Sequence, residues 1–498
     1  MTVESSGDPE RYSGILTHPT SFPGPYGIGD LGDDALTFID FLAAAGQRLW
    51  QIMPLGPTGF GDSPYASFSA FAGNPLLISL KRLSEQGLLS PEDISNPPLF
   101  PEDHVDYGPV IAYHQELLKK SYAVFQKTQD RSIREEFNTF IDAQGWWLDD
   151  YALFMAYKDL HDGMIWNQWS AGKGNLYFTP PDDTDDRVLY HKYLQFQFFA
   201  QWRAVKEYAN GKGIRIIGDV PIFVAYDSAD VWAHPGLFKL DKKGNMTVVS
   251  GVPPDLFSET GQRWGNPVYR WNTCKKQEFS WWIDRFRWML EMVDLVRIDH
   301  FRGFAACWEI PADHPTAEKG KWVRSKGKEL FTAVGKALGS VPVLAEDLGV
   351  ITPDVDKLRD MFGLPGMKIL QFGFGGGPDS PYLPHNYTEN SIVYTGSHDN
   401  DTTRGWYDTE QEKTRDHVRR YLGVSGDDIA WDMIRSVLAS VSRYAVIPLQ
   451  DILSLNSEAR MNFPGKAEGN WQWRYTPDML DTFTASRLKG LTELYGRG

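Results

Sequence analysis

The sequence predicts an α/β protein built on a closed (β/α)8 barrel, with long insertions at the C-terminal face of its strands. Three observations carry this expectation. Eight short apolar runs can be picked out along the 498 residues, most are followed by a stretch of helical periodicity, and four of them end in carboxylates. Strands that alternate with helices imply right-handed βαβ units and a parallel sheet, and eight such units close into a barrel. A single barrel is expected over residues 1–498.

The first run is Ser13-Gly-Ile-Leu-Thr-His18, followed by a helix expected over Asp33–Ala45 with Leu36, Ile39, Phe41 and Leu42 on one side. The second, Leu49-Trp-Gln-Ile-Met-Pro-Leu55, opens a long interval from about Gly56 to Tyr190, where helical patterns and Pro-rich breaks predict a largely helical insertion. The third, Ile214-Arg-Ile-Ile-Gly-Asp-Val220, opens a second interval from about Pro221 to Lys276, rich in Gly, Pro and aromatic residues. Both intervals start at the C-terminal end of a strand, so both should overhang the mouth where barrel active sites sit. A helix over Phe279–Val293, carrying Trp282, Ile283, Phe286, Leu290 and Val293, precedes the fourth run, Leu295-Val-Arg-Ile-Asp299. The fifth is Pro342-Val-Leu-Ala-Glu346, and Thr352-Pro-Asp after it reads as an N-cap Thr with Pro at the first helical position. Met367–Gly373, Ile392–Thr395 and Tyr444–Leu449 complete the set. There is no internal repeat or low-complexity tract.

Lys and Arg total 50 against 65 Asp and Glu, a net charge of −15, which argues against nucleic acid as a partner, since phosphate-backbone binding needs surplus cations. No run of about 18 apolar residues exists to span a membrane. The 18 tryptophans leave two readings open, an aromatic core or rings that stack on the apolar faces of sugars. Cys274 and Cys307 are the two cysteines, without metal-type spacing, and fit a reducing compartment. The first ten residues carry neither an apolar signal core nor an Arg-rich amphipathic pattern. The Asn400-Asp-Thr402 sequon lies inside a candidate catalytic motif, where a glycan would obstruct the site. A cytoplasmic protein is expected, or a plastid stromal one whose transit peptide has been removed. Gly27-Ile-Gly-Asp-Leu-Gly32 matches a dinucleotide fingerprint, but Leu49-Trp-Gln-Ile-Met lacks the carboxylate that such a site needs about 20 positions on. A tight loop at the barrel mouth is the better reading, and no cofactor is expected.

The strand ends carry the chemistry. Ile216-Ile-Gly-Asp219, Asp294-Leu-Val-Arg-Ile-Asp-His300, Val343-Leu-Ala-Glu-Asp347 and Val393-Tyr-Thr-Gly-Ser-His-Asp399 bring Asp219, Asp299, Glu346 and Asp399 from strands three, four, five and seven into one cleft. Clustered carboxylates repel and raise at least one pKa unless a cation offsets them. Arg297 shares a strand face with Asp299 and should keep it ionised and oriented. Glu346 has no such close sequence partner and is expected to stay protonated. One ionised and one protonated carboxyl is the pair that retaining glycoside chemistry requires: Asp299 attacks the anomeric carbon while Glu346 protonates the leaving oxygen. Asp399 with His398 would bond sugar hydroxyls and stabilise an oxocarbenium-like ring, and Asp219 is expected to hold Arg297 or the framework. A metal hydrolase is disfavoured because Asp299 and His300 should face opposite ways on a strand and no HxH or HExxH occurs.

These residues resemble the α-amylase superfamily and, within it, the 4-α-glucanotransferases (amylomaltases or disproportionating enzymes), over nearly the whole chain. The resemblance implies the nucleophile at Asp299 with Arg297, the acid/base at Glu346, the transition-state carboxylate at Asp399, and sugar binding around Asp219, His398 and His300. Gly251-Val-Pro-Pro-Asp-Leu-Phe-Ser-Glu-Thr-Gly-Gln-Arg-Trp-Gly-Asn-Pro267 is similar to the long loop that such enzymes fold over the cleft, with Asp255, Gln262, Trp264 and Asn266 as its sugar contacts. The family's loop often has Tyr-Phe where this chain has Leu256-Phe257, which weakens a stacking ring at 256. Ser63-Pro-Tyr-Ala66 resembles the cleft-lining motif, with Tyr65 near the scissile bond, and Ser457–Asn462, ending in Asn462, and Trp471-Gln-Trp-Arg474 resemble the final blocks. No β-sandwich is expected after the barrel, in keeping with the family, whereas amylases usually carry one. The implied partners are α-1,4-glucans such as maltooligosaccharides, starch or glycogen. The implied activity is disproportionation, with an α-glucan hydrolase on the same barrel as the alternative and a non-catalytic glucan-binding protein as the rival from another class.

Overall fold

A computed structural model describes residues 11–169, 184–254, 258–349, 351–466 and 468–498. In chain order its strands are β1 (Tyr12–Leu16), β2 (Leu49–Gln51), β3 (Arg215–Pro221), β4 (Val248–Val252), β5 (Gln262–Pro267), β6 (Leu295–Asp299), β7 (Ala306–Pro311), β8 (Lys321–Arg324), β9 (Val343–Ala345), β10 (Gly366–Ile369), β11 (Ser391–Tyr394) and β12 (Tyr444–Pro448). Eight of them close into a parallel barrel in the order β1-β12-β11-β10-β9-β6-β3-β2, and the expected (β/α)8 architecture is borne out.

Alternation along the strands explains how one barrel holds both a core and a charged site. Leu16, Leu49, Ile217, Leu295, Leu344, Ile392 and Tyr444 point inward and pack as one buried cluster. Two residues further along the same face stand Asp219 on β3, Arg297 on β6 and Glu346 just past β9, because side chains repeat every second residue. The opposite faces, with Ile216, Val296, Ile298, Val343 and Val393, belong to the larger core beneath the helices. The inward stripe is therefore apolar at the bottom and ionisable at the top.

The interval after β2 is built on three long helices, Tyr107–Lys127, Arg131–Leu160 and Thr184–Gly211. The last also serves as the crossover to β3, with Trp202 packed 6.1 Å from Trp50 on β2. No described helix is long and apolar enough to cross a membrane.

Four differences from the sequence expectations have physical causes. The second run pairs only over Leu49–Gln51 before Pro54, which has no N–H for a ladder, and the sixth turns into a 3-10 helix at Leu370–Gly375. Thr352 does stand before the helix Pro353–Met361, but its hydroxyl bonds the Asp354 carboxylate (2.5 Å) instead of capping the backbone. The segment between β6 and the next helix, Gly327–Leu338, holds two further strands that were not expected. These strands, β7 and β8, join β4 and β5 in an antiparallel sheet of order β5-β4-β7-β8. The sequence signal was present in Ala306-Cys-Trp-Glu-Ile-Pro311 and Lys321-Trp-Val-Arg324, short runs rich in β-branched and aromatic residues.

Gly14 sets the spacing between β1 and β2. It pairs with Leu49, and a Cβ placed on it would overlap the Leu49 carbonyl oxygen and side chain. Gly14→Ala should therefore overpack the barrel floor and destabilise the protein by about 1–3 kcal/mol. The check is a lowered melting temperature, and an unchanged one would contradict this account of the β1–β2 contact.

Candidate active site

The β3–β6 register places Asp219 directly beside Arg297. The Arg297 guanidinium donates from Nη1 to Asp219 Oδ2 at 2.5 Å and from Nη2 to Asp299 Oδ1 at 3.1 Å. Arg297 and Asp219 are buried, while the Asp299 side chain keeps 30% of its surface open to the cleft. Tyr65 reaches in from the loop after β2 and donates its phenol proton to Asp219 Oδ2 at 2.8 Å. Its ring stacks on that of His398, with centroids 5.2 Å apart.

Glu346 follows β9 and accepts two backbone N–H groups, from His300 at 2.6 Å and from Leu348 at 2.9 Å. The first bond exists because His300 adopts a left-handed conformation (φ 53, ψ 51), uncommon for a residue with a side chain. That turn also overrides the strand geometry expected of Asp299 and His300. β6 ends at Asp299, and the His300 ring meets Trp264 edge-to-face, with centroids 4.6 Å apart. Burial, aided by the Arg302 charge, holds the His300 imidazole neutral by lowering its pKa to about 3.

The expected protonation order emerges, but by a different balance. Burial, then the negative charge of Asp299, lifts Glu346 to about 8, against the pull of Arg297 and of the two backbone donors that were not foreseen. Asp299 is itself raised to about 6, because burial outweighs the Arg297 charge and Asp219 and Asp399 add repulsion. Arg297 thus limits the rise of Asp299 and does not restore an ordinary carboxylate. Near pH 7 the arrangement still holds Asp299 ionised and Glu346 protonated.

Asp399 sits on the loop after β11, with its side chain 45% exposed. Asn462 Nδ2 donates to its Oδ1 at 2.6 Å, and Arg460 Nη2 donates to its backbone carbonyl at 2.7 Å. Asn462, expected to bind sugar, thus holds a carboxylate of the site. His398 Nε2 lies 2.9 Å from the Tyr65 hydroxyl and 3.5 Å from Asp399 Oδ2. Asp451, past the end of β12, accepts from the Thr395 hydroxyl and from the Thr403 hydroxyl and N–H, pinning both ends of the Asp399 loop. Asp451 and Arg460 were missed as functional positions. Asp451 is a fifth carboxylate near a strand end and could have been found by the rule that found the other four; Arg460 stood unremarked inside the Ser457–Asn462 block.

The antiparallel sheet brings β5 to the cleft. Trp264 on it is 38% exposed and touches His300, and its indole N–H bonds Gln262 Oε1 at 3.1 Å. Asn266 is turned toward the framework, donating to the Val224 carbonyl at 3.2 Å. Asp255, with Leu256 and Phe257, lies outside the described residues.

The family model Glyco_hydro_77, 4-alpha-glucanotransferase, matches residues 17–480. The chain is 53% identical to a 4-alpha-glucanotransferase of Synechocystis, over 98% of each sequence. It is 51% identical to a 4-alpha-glucanotransferase of Thermus thermophilus, covering 97% of this chain and 98% of that one. Among solved structures, the amylomaltase from Streptococcus agalactiae in complex with acarbose superposes with a TM-score of 0.95 at 39% identity, covering 98% of this chain and 100% of that one.

The two raised carboxyls fix a pH profile. If Asp299 acts as a carboxylate and Glu346 as a proton donor, kcat/KM should rise as pH climbs through about 6 and fall again through about 8. The two limbs belong to the coupled pair. A profile that stays flat from pH 5 to pH 9 would exclude this assignment of proton donor and ionised partner.

Proposed function

We propose how this chain, which belongs to the 4-alpha-glucanotransferase family, moves a glucan segment from donor to acceptor. Its activity is that of a 4-alpha-glucanotransferase. The substrates in this reading are α-1,4-glucans: maltooligosaccharides, and the chains of starch or glycogen. The observation that carries the mechanism is the protonated Glu346 facing an ionised Asp299 across adjacent strand ends.

Asp299 attacks the anomeric carbon while Glu346 gives its proton to the glycosidic oxygen, and the reducing-end portion of the donor leaves. A covalent glycosyl-enzyme remains, its ester bond on Asp299. Glu346, now a carboxylate, takes the proton of an acceptor 4-OH, and that oxygen displaces Asp299, so configuration is retained. Asp399, held by Asn462, bonds hydroxyls of the distorted ring and offsets its developing positive charge. Arg297 and Asp219 orient the nucleophile, and Tyr65 and His398 line the same wall.

Transfer in preference to hydrolysis requires sugar to reach the ester before water does. β5 supports this by holding Trp264 over His300, one residue from the nucleophile, where an aromatic face can stack on an acceptor and displace solvent. The whole chain acts as one catalytic barrel in this reading, with residues 56–190 and 221–276 as insertions above its mouth. The two cysteines are unpaired and buried, which suits the cytoplasm or a plastid stroma.

Incubation with maltotriose should yield glucose together with longer oligomers, and added glucose should shift the products toward shorter chains; glucose and maltose alone would defeat the transfer reading. Asp299→Asn should lower turnover by roughly 10^4-fold or more while glucan binding, followed by calorimetry, stays within a few-fold. Trp264→Ala should raise the ratio of hydrolysis to transfer by about 10-fold, read from reducing ends released per transfer event. An unchanged ratio would remove Trp264 from the acceptor wall.

A further inference from the structure

The His398 ring is committed on one side and open on the other. Asp219 is ion-paired with Arg297 and has no proton to give, so the single phenol proton of Tyr65 must point at Asp219 Oδ2. The contact between Tyr65 and His398 Nε2, at 2.9 Å, then requires the imidazole to be the donor. A neutral imidazole that donates from Nε2 carries a lone pair at Nδ1, and that atom is buried with no protein partner.

Nδ1 does not stand alone. Thr17 Oγ1, His18 Nδ1 and Ser21 Oγ are likewise buried and unpartnered, and all four side chains line the same small cavity between the end of β1 and the Asp399 loop. Thr17, His18, Ser21 and His398 are 4%, 2%, 0% and 5% exposed. The cavity measures about 20 Å3, enough for one water, which needs roughly 10–15 Å3 and two to four polar partners. Burial keeps His18 uncharged; Arg460 and Asp401 also line the cavity, the Arg460 guanidinium bonding the Asp399 and Asn462 carbonyls.

We propose that this cavity is an internal hydration site, in which Thr17, His18 and Ser21 hold one ordered water that donates a hydrogen bond to His398 Nδ1. The hydroxyls of Thr17 and Ser21 donate to the water, and the water donates to the imidazole. Thr17, His18 and Ser21 are then positioning residues. They fix the His398 tautomer that presents Nε2–H to Tyr65 and lies beside Asp399. Without the water, no donor meets the Nδ1 lone pair, so the Nε2–H tautomer loses its support, and with it the bond to Tyr65 that steadies the wall facing the reacting sugar.

The kinetic arm of the test rests on the role proposed for Asp399; the structural arm does not. In a high-resolution crystal structure of the unaltered protein, a water should lie about 2.7–3.2 Å from His398 Nδ1 and bond at least one of Thr17 and Ser21. An empty cavity overturns the inference and leaves the assignment of Asp399 untouched. The Thr17→Val, Ser21→Ala double variant, with its melting temperature as the folding control, should lose about ten-fold in kcat with KM for maltotriose within about two-fold. Thr17→Ser in the Ser21→Ala background, which returns one hydroxyl, should recover turnover. A double variant with unchanged kcat, or one that the returned hydroxyl does not rescue, overturns the positioning role. Full activity in Asp399→Asn would instead sink the proposed mechanism.

Discussion

The buried guanidinium of Arg297 is the interaction on which the rest of the site depends. It spans Asp219 and Asp299, and the β3–β6 register that puts Asp219 beside it leaves few alternatives for either side chain. Four carboxylates converge here, and among the described residues Arg297 is the cation paired with two of them. Such a cluster is tolerated only because the central pair is hydrogen-bonded in good geometry, and breaking a buried pair typically costs about 3–5 kcal/mol. Burial first, and then the uncompensated charge of Asp299, keeps a proton on Glu346. Arg297 lowers the Glu346 pKa without overcoming burial and the Asp299 charge.

The barrel was legible in the sequence because both of its signals are local. Apolar runs at βα spacing mark the strands, and a carboxylate at a strand end marks the mouth. Arg297 and Asp299 could be placed on one face from alternation alone. What stayed hidden depends on long-range partners or on backbone conformation. The hydrogen bond from His300 to Glu346 needs a left-handed turn at a histidine, which no local pattern announces. Burial of Asp299 is set by elements distant in the sequence, β3 and β9 among them, so the sequence overstated what Arg297 could do for it. β7 and β8 were missed because they stand outside the βα alternation: β7 pairs with β4 and β8, and β8 with β7.

Two kinds of rigidity meet at the cleft. The wall formed by Asp219, Arg297, Tyr65 and His398 is tied to barrel strands and to buried partners, which suits groups that must be in place before charge develops. The Asp399 side is held from outside the barrel by Asn462, Arg460 and Asp451. The opposite rim is a sheet whose strand β5 carries an exposed tryptophan. A fixed charged wall facing a separately built aromatic rim lets the chemistry and the choice of acceptor be adjusted by different residues.

The sheet over the mouth is assembled from two stretches of chain: β4 and β5 come from the interval after β3, while β7 and β8 follow β6, the strand that carries Arg297 and Asp299. β7 begins seven positions beyond Asp299, after the turn that aims His300. The cover is thus no detachable module. A chimaera that borrowed residues 221–276 from a relative but kept its own 300–326 would join two unmatched halves of one sheet at the β4–β7 seam. Exchange of this rim between relatives has to carry both segments, and with them the turn that holds the Glu346 carboxyl.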